Sequence, residues 1–162
     1  MSKAIHALGI DMTDEYAQIS YILSGETEPV SFTVNPEEKS YLIPASLYYR
    51  KENDTWYAGY EAVFNSETDK REAYAFDRDI KYDKDKMTKY LGLLIKLLEE
   101  SLDARIEGVI CVSEEDDDLE STGCIYGAMK NLGYDDEHMR VINHDEAFIY
   151  YTINQKRELW VN

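Results

Sequence analysis

The chain has few cysteines and no long apolar run. Its two cysteines, Cys111 and Cys124, lack the spacing of metal ligands or of a CxxC pair and stand among apolar residues. A free thiol in such a setting behaves as a small buried hydrophobe. No stretch reaches the roughly 18 apolar residues of a membrane helix, and the N-terminus lacks a signal-peptide pattern. These absences favour a protein of the reducing cytoplasm.

Basic residues are also scarce. The 162 residues include 33 Asp and Glu against 17 Lys and Arg, which gives a formal net charge of −16. Such a charge repels nucleic-acid backbones and anionic lipid surfaces, so neither nucleic acid nor a membrane is expected as a partner. The length is enough for one substantial hydrophobic core and predicts a single domain over residues 1–162.

The first part of the chain has the alternating pattern of a β-meander. Residues 4–11 are predicted to form a largely buried strand, and residues 15–23 its antiparallel neighbour. Residues 28–34 complete the meander as a third strand. The sheet-forming part of the chain therefore comes first.

The next part is less regular. Residues 41–63 indicate two short extended pieces around a turn at Asn53 and Asp54, followed by a short helix that starts at Gly59. Residues 65–82 are charged and weakly periodic, which predicts a loop or an exposed helix.

Helical periodicity begins at Asp85 and predicts a helix that ends near Asp103. A buried strand at 106–113 follows, and Ser113 is the predicted N-cap of the next helix, with the acidic run 114–118 in its first turn. The inward face of the first of these helices is predicted to contain Met87, Tyr90, Leu91, Leu94, Leu97, Leu98 and Leu102.

The rest of the chain alternates helix and strand. The second long helix is predicted to end at Gly133, and a strand at 139–143, a helix at 144–151 and a strand at 157–161 follow. Strands separated by helices pair in parallel through right-handed crossovers. The order predicts an α/β fold of the ribonuclease H-like kind, a mixed five-stranded sheet with a three-strand meander, two parallel strands and flanking helices. Inward residues of the second helix are predicted to be Leu119, Thr122, Ile125, Tyr126, Met129 and Leu132.

Four stretches, in this order, resemble the actin, sugar kinase and heat-shock chaperone ATPase superfamily, in particular its chaperone branch. "GIDMTDE" at 9–15 is similar to the first phosphate loop, and "YLIPASLYY" to the Thr-Pro-Ser strand. "WYAGYEAV" is similar to the start of the Gly-Asp-Ala-Ala helix. The stretch from "EGVICVS" to "NHDEAFIYY" is similar to the strand, helix, strand and Ala-rich helix of that branch.

The resemblance implies that the chain is the N-terminal lobe of an actin-like ATPase domain, with ATP and Mg²⁺ as ligands. It implies catalytic positions at Asp11 and His144 and metal ligation by Asp11 and Asp145. The implied nucleotide-binding positions are Gly9, Asp11, Met12, Thr13, Asp14 and Glu15.

The chain departs from the family pattern at chemically important positions. Thr13, Asp14 and Glu15 replace the glycine and hydroxyl residues of the phosphate loop, and carboxylates repel phosphates unless a cation intervenes. Val63 stands at the position of a lysine, and His144 at that of a glutamate. The resemblance also implies a second lobe, which we expect to lie outside this chain. We therefore expect weak nucleotide binding and little or no hydrolysis by this chain alone, with its missing C-terminal lobe or another protein as partner.

Other interpretations stay open from the sequence. Asp11 could simply end a strand and accept hydrogen bonds from turn amides, and the acids after His144 could simply suit a helix N-terminus. The whole chain could be a non-catalytic protein-interaction scaffold that retains the fold. A two-metal nuclease built on Asp11, Glu114 and Asp145 is a third possibility, which the net charge disfavours.

Overall fold

A computed structural model describes residues 3–34, 37, 40–114 and 118–155. Within these residues the helices are α1 (Tyr60–Thr68), α2 (Lys84–Leu102), α3 (Leu119–Asn131) and α4 (His144–Gln155), and Phe76–Ile80 forms a π-helical turn. The strands are β1 (Lys3–Met12), β2 (Tyr16–Leu23), β3 (Val30–Ser31), β4 (Ile43–Pro44), β5 (Ser46–Arg50), β6 (Thr55–Ala58), β7 (Tyr74–Ala75), β8 (Ala104–Glu114) and β9 (Met139–Asn143).

The described strands form a six-stranded mixed sheet with the order β3-β2-β1-β8-β9, in which β4 also pairs with β2. β1 is antiparallel to β2 and parallel to β8, and β8 is parallel to β9. α2 leads into β8, and α3 connects β8 to β9, so a helix precedes each of these parallel strands, as the alternation of helix and strand predicts. The sheet has one strand more than the five predicted, because β4 returns from the middle of the chain to β2.

Two predictions for the first half of the chain are wrong. The third strand is only Val30–Ser31 and not 28–34. Residues 65–82 are not simply a loop or an exposed helix, because they contain the end of α1, β7 and the π-helical turn. Phe76 and Ile80 of that turn are almost fully buried. Together with β5 and β6, β7 forms a second sheet of three strands.

The bounds of the long helices α2 and α3 agree with the prediction more closely than the set of residues that each helix buries. α2 buries Met87, Tyr90 and Leu94 as expected, but Leu97 is 38% exposed and its neighbour Ile95 is buried instead. Leu119 opens α3 and is 89% exposed, so its predicted inward position is also wrong.

The cap of α3 also differs from the prediction. Ser113 lies inside β8, and the N-cap of α3 is Asp118, whose side chain accepts a hydrogen bond from the backbone N–H of Glu120. Most of the acidic run and the predicted strand at 157–161 lie outside the described residues. No helix in the described ranges is long and apolar enough to cross a membrane.

The centre of the sheet requires glycine at position 108. The parallel register of β1 and β8 shifts between Ile5↔Ile106 and Ala7↔Val109, so β8 contains one extra residue opposite His6. A Cβ atom on Gly108 would lie 1.6 Å from the backbone oxygen of His6. Such a bulge is tolerated because glycine has no side chain.

We expect Gly108→Ala to destabilise the fold strongly, by several times the roughly 1 kcal/mol of a typical substitution, because the backbone of β1 or β8 must move. Gly123→Ala is the matched control. Gly123 lies in α3 with nothing within 4 Å of a built Cβ, so alanine there should stabilise by about 0.5–1 kcal/mol. Denaturant unfolding of the two variants measures both changes. If Gly108→Ala were as stable as Gly123→Ala, the result would contradict the close approach of β8 to the backbone of His6.

Asp83 caps α2, and its carboxylate also contacts Lys86. Its side chain accepts hydrogen bonds from the backbone N–H groups of Asp85 and Lys86, and Lys86 Nζ lies 2.6 Å from Oδ2. The hydrogen bond from the Lys86 side chain, followed by those from the backbone, lowers the pKa of Asp83. Since the folded-state pKa is lowered, this stabilisation is present above the unfolded pKa and is lost as pH falls through the folded pKa.

Asp83→Ala should therefore cost about 1 kcal/mol at neutral pH, whereas Asp83→Asn, which retains a capping oxygen, should cost clearly less. The difference between wild type and Asp83→Ala should shrink below about pH 4, where the free carboxyl group becomes protonated. Thermal unfolding of wild type, Asp83→Ala and Asp83→Asn between pH 3 and 7 measures how these stability differences change with pH. A difference that does not change with pH would show that the charge of Asp83 contributes nothing.

Candidate functional site

A cleft of about 590 Å³ opens on one face of the six-stranded sheet. Side chains alternate along strands, so paired residues of neighbouring strands point to the same face. Gly9 of β1 pairs with Ser20 of β2 and Cys111 of β8. The opposite face of β1 is apolar and buried, with Leu8, Ile10 and Met12 in the core. The face of the sheet that carries Gly9, Ser20 and Cys111 therefore lines the cleft, to which the buried Ile10 and Ile19 also contribute.

Asp11 lies at the centre of the polar contacts in the cleft. The Ser113 hydroxyl donates a hydrogen bond of 2.7 Å to Asp11 Oδ1, and His144 Nε2 lies 2.5 Å from the same oxygen. Nε2 is buried, and within the described residues its contact with Asp11 lacks hydrogen-bond geometry. A hydroxyl and an imidazole therefore approach a single carboxylate oxygen.

The topology explains why these three residues meet. Asp11 and Ser113 lie near the carboxyl ends of the parallel strands β1 and β8, where they are register partners. His144 is the first residue of α4 and directly follows β9. The carboxyl ends of parallel strands share one edge of a sheet, where ligand sites of such folds gather. The structure thus brings the predicted residues Asp11 and His144 together across 133 positions of sequence.

The turn after β1 is organised by Thr13 and not by Asp11. The Thr13 hydroxyl donates to the backbone oxygen of Tyr16 and accepts from the backbone N–H groups of Glu15 and Tyr16. Asp14 and Glu15 are exposed in this turn. The interpretation that Asp11 only satisfies turn amides therefore has no support from the hydrogen bonds, and its carboxylate faces the cleft.

The predicted site residues fall into separate groups. Gly9, Asp11 and His144 line the cleft, whereas Thr13, Asp14 and Glu15 form the adjacent turn. The Met12 side chain packs into the core. Asp145 is exposed and is not among the residues that line the cleft.

The described residues offer no set of three or more side-chain ligands that could enclose a Mg²⁺ ion by themselves. This ion takes about six oxygen ligands in octahedral geometry, and Asp11 already contacts Ser113 and His144. Across residues 3–34, 37, 40–114 and 118–155, no group of three or more His, Cys, Asp and Glu could hold a metal ion. The side chain of Glu114, the remaining residue of the nuclease interpretation, lies outside the description.

Sequence reasoning missed several neutral residues of the cleft. Gln18 and Ser20 on β2 and Ser113 on β8 are polar positions that alternate with apolar residues, and this alternation was the available signal. Tyr41 and Phe148 also line the cleft and are exposed by 41% and 68%. None of the described lining residues is Lys or Arg. The cleft therefore offers apolar surface together with neutral polar groups, and Asp11 is the only Asp or Glu among its described lining residues.

Comparisons with known proteins relate the chain to one family and one fold. Residues 28–162 match a family described as "Family of unknown function (DUF5716) C-terminal". No curated protein matches the sequence. Among solved structures, a non-polymerising mutant of MamK bound to AMPPNP is similar with a TM-score of 0.52 and 13% sequence identity. The similarity covers 85% of this chain but only 40% of the MamK chain.

Cys111 gives a chemical readout of the cleft. Burial raises the pKa of its thiol, the nearby Glu146 raises it further, and Arg140 opposes the change. The thiolate is the form that reacts with iodoacetamide. We therefore expect iodoacetamide to alkylate Cys111 much more slowly than it alkylates the thiol of free glutathione at pH 7.5, and we expect the alkylation rate of Cys111 to rise as the pH is raised above 9. Mass spectrometry of the Cys111 peptide measures the rate. Fast labelling of the folded protein at neutral pH would contradict this environment.

Proposed function

We propose that this chain, which belongs to the DUF5716 C-terminal family, is a nucleotide-binding module with an actin-like fold. The observation that supports this most is the cleft at the carboxyl ends of β1, β8 and β9, with Asp11, Ser113 and His144 at its centre. The similarity to AMPPNP-bound MamK supports the fold and makes an adenine nucleotide the natural ligand to test. The strand order, apart from β4, supports the finer ribonuclease H-like assignment.

The proposed module needs a second surface to enclose its ligand. The chain spans about two fifths of the MamK chain, and the lining residues Tyr41 and Phe148 are exposed. A ligand site normally buries most of the ligand surface. The complementary surface would come from a C-terminal lobe or from another protein, and binding by this chain alone is then weak.

We propose further that the chain alone does not hydrolyse ATP. Catalysis of phosphoryl transfer depends on positioned cations and donors around the phosphates. In this cleft the imidazole of His144 contacts Asp11, no described lining residue is Lys or Arg, and Val63 is not part of the lining. Asp11 is the only Asp or Glu among the described lining residues, so any Mg²⁺ held there would need oxygen ligands from waters or the phosphates as well.

A non-catalytic interaction scaffold is the second candidate function. Phe148 and Ile149 on α4 are exposed by 68% and 55%, and Phe148 borders the cleft. Exposed aromatic and aliphatic side chains beside a concave surface are typical of sites where proteins meet. The scaffold and the nucleotide module differ in whether the cleft itself takes a small ligand.

Isothermal calorimetry with ATP tests the proposal. We expect a dissociation constant no tighter than about 1 mM, which corresponds to ~4 kcal/mol of binding, and no release of phosphate. At saturating ATP, alkylation of Cys111 should slow, while Cys124, which lies in α3 outside the cleft lining, serves as the internal control. Micromolar affinity or hydrolysis would contradict the weak site, and unchanged labelling of Cys111 would favour the scaffold.

The role of Asp11 can be separated from that of a metal ligand. Because its carboxylate repels phosphate and also contacts His144, we expect Asp11→Asn to bind ATP more tightly, by about two- to tenfold, with or without Mg²⁺. Asp14→Asn removes the same charge from the exposed turn and should change affinity less. Weaker binding of ATP by Asp11→Asn only when Mg²⁺ is present would show instead that Asp11 serves a metal.

A further inference from the structure

A second groove follows the edge of the small sheet. β6 is an outer strand of the order β6-β5-β7, and a groove of about 370 Å³ runs between it and α2. The consecutive residues Thr55, Trp56, Tyr57 and Ala58 all line this groove. Since successive side chains of a strand point to opposite faces, four consecutive residues share a groove only if it runs along the strand edge.

The opposite wall of the groove is an apolar stripe of α2. Leu93 and Leu97 lie one turn apart, and Glu100 continues the same side of the helix, as the spacing of three and four residues requires. Leu97 is the position that the helical period predicts to be inward, yet 38% of it is exposed. The stripe therefore offers apolar surface opposite the edge of β6.

The strand edge offers hydrogen bonds to a ligand. Among the described strands β6 pairs with β5 on one side only. In an antiparallel pair, every second residue directs both its N–H and its C=O away from the neighbouring strand. Half of the β6 residues thus direct these groups towards the groove. An edge of this kind is the template onto which an extended peptide adds as a new strand.

Charge indicates which kind of segment fits. Glu61 and Glu100 line the groove, and Lys96, the one lysine among its described lining residues, lies 3.7 Å from Glu100. The chain as a whole has a net charge of −16. A second copy of this chain would bring like charges together, whereas a basic segment would be attracted to the groove.

We propose that the groove between β6 and α2 binds an extended segment of a partner protein by strand addition. The segment adds to the edge of β6 through its backbone, places apolar side chains against Leu93 and Leu97 at alternate positions, and carries Lys or Arg beside them. β6 belongs to a different sheet from the cleft around Asp11, although Ile43 of β4 also lines the groove, and the two sites share no described lining residue.

Selection from a phage library of random nine-residue peptides tests the proposal with the whole chain as target. We expect enriched peptides to alternate apolar residues with Lys or Arg. Leu97→Glu should weaken their binding by about tenfold or more, because a carboxylate then faces the apolar positions. Leu119→Glu is the matched control. It introduces the same charge at an exposed leucine of α3 outside the groove lining and should leave affinity unchanged.

Two synthetic copies of the best peptide, one with N-methyl groups at odd and one at even backbone positions, separate strand addition from simple apolar contact. Both copies keep the side chains, but one of them loses the backbone donors that face β6, so that copy should lose binding. Failure to enrich any peptide, binding that is equal for Leu97→Glu and wild type, or full binding by both methylated peptides would each overturn the proposal. Circular dichroism of both variants verifies that they remain folded.

Discussion

β1 and β8 can remain paired on both sides of His6 only because Gly108 leaves room for the backbone there. This pairing decides the rest of the sheet, since β2 adds to one side of β1 and β9 to the outer side of β8. It also decides where the helices lie, because α2 precedes β8 and α3 follows it. Without this ladder, the two halves of the chain would have no common core.

The same ladder creates the candidate site. It aligns Asp11 with Ser113 at the edge where β9 delivers His144, so the three groups meet although they belong to distant parts of the chain. The carboxylate of Asp11 contacts the hydroxyl of Ser113 and the imidazole of His144. Although the chain as a whole is strongly acidic, the other described side chains that line the cleft are neutral.

Local periodicity was sufficient to predict the four longer strands of the main sheet, β1, β2, β8 and β9, but not the short strands β3 and β4. β1, β2 and β9 were predicted almost to the residue, because alternation and flanking turns determine strands of this kind. The same reasoning failed for Phe76 and Ile80, since charged neighbours hide two core residues within an irregular turn. Ser113 was misplaced because its role depends on the parallel register with Asp11, which local sequence does not contain. The position of Asp11 at a strand end was predictable, and its contact with Ser113 was not.

The contact between Asp11 and Ser113 joins residues 102 positions apart, which has a consequence for how the protein folds. Contacts between distant residues form late, because the entropy of closing a long loop must be overcome before they stabilise anything. α2 can form from its own residues, whereas the cleft requires the first and the last third of the chain to meet. During synthesis on the ribosome, the cleft can be completed only after His144 has emerged.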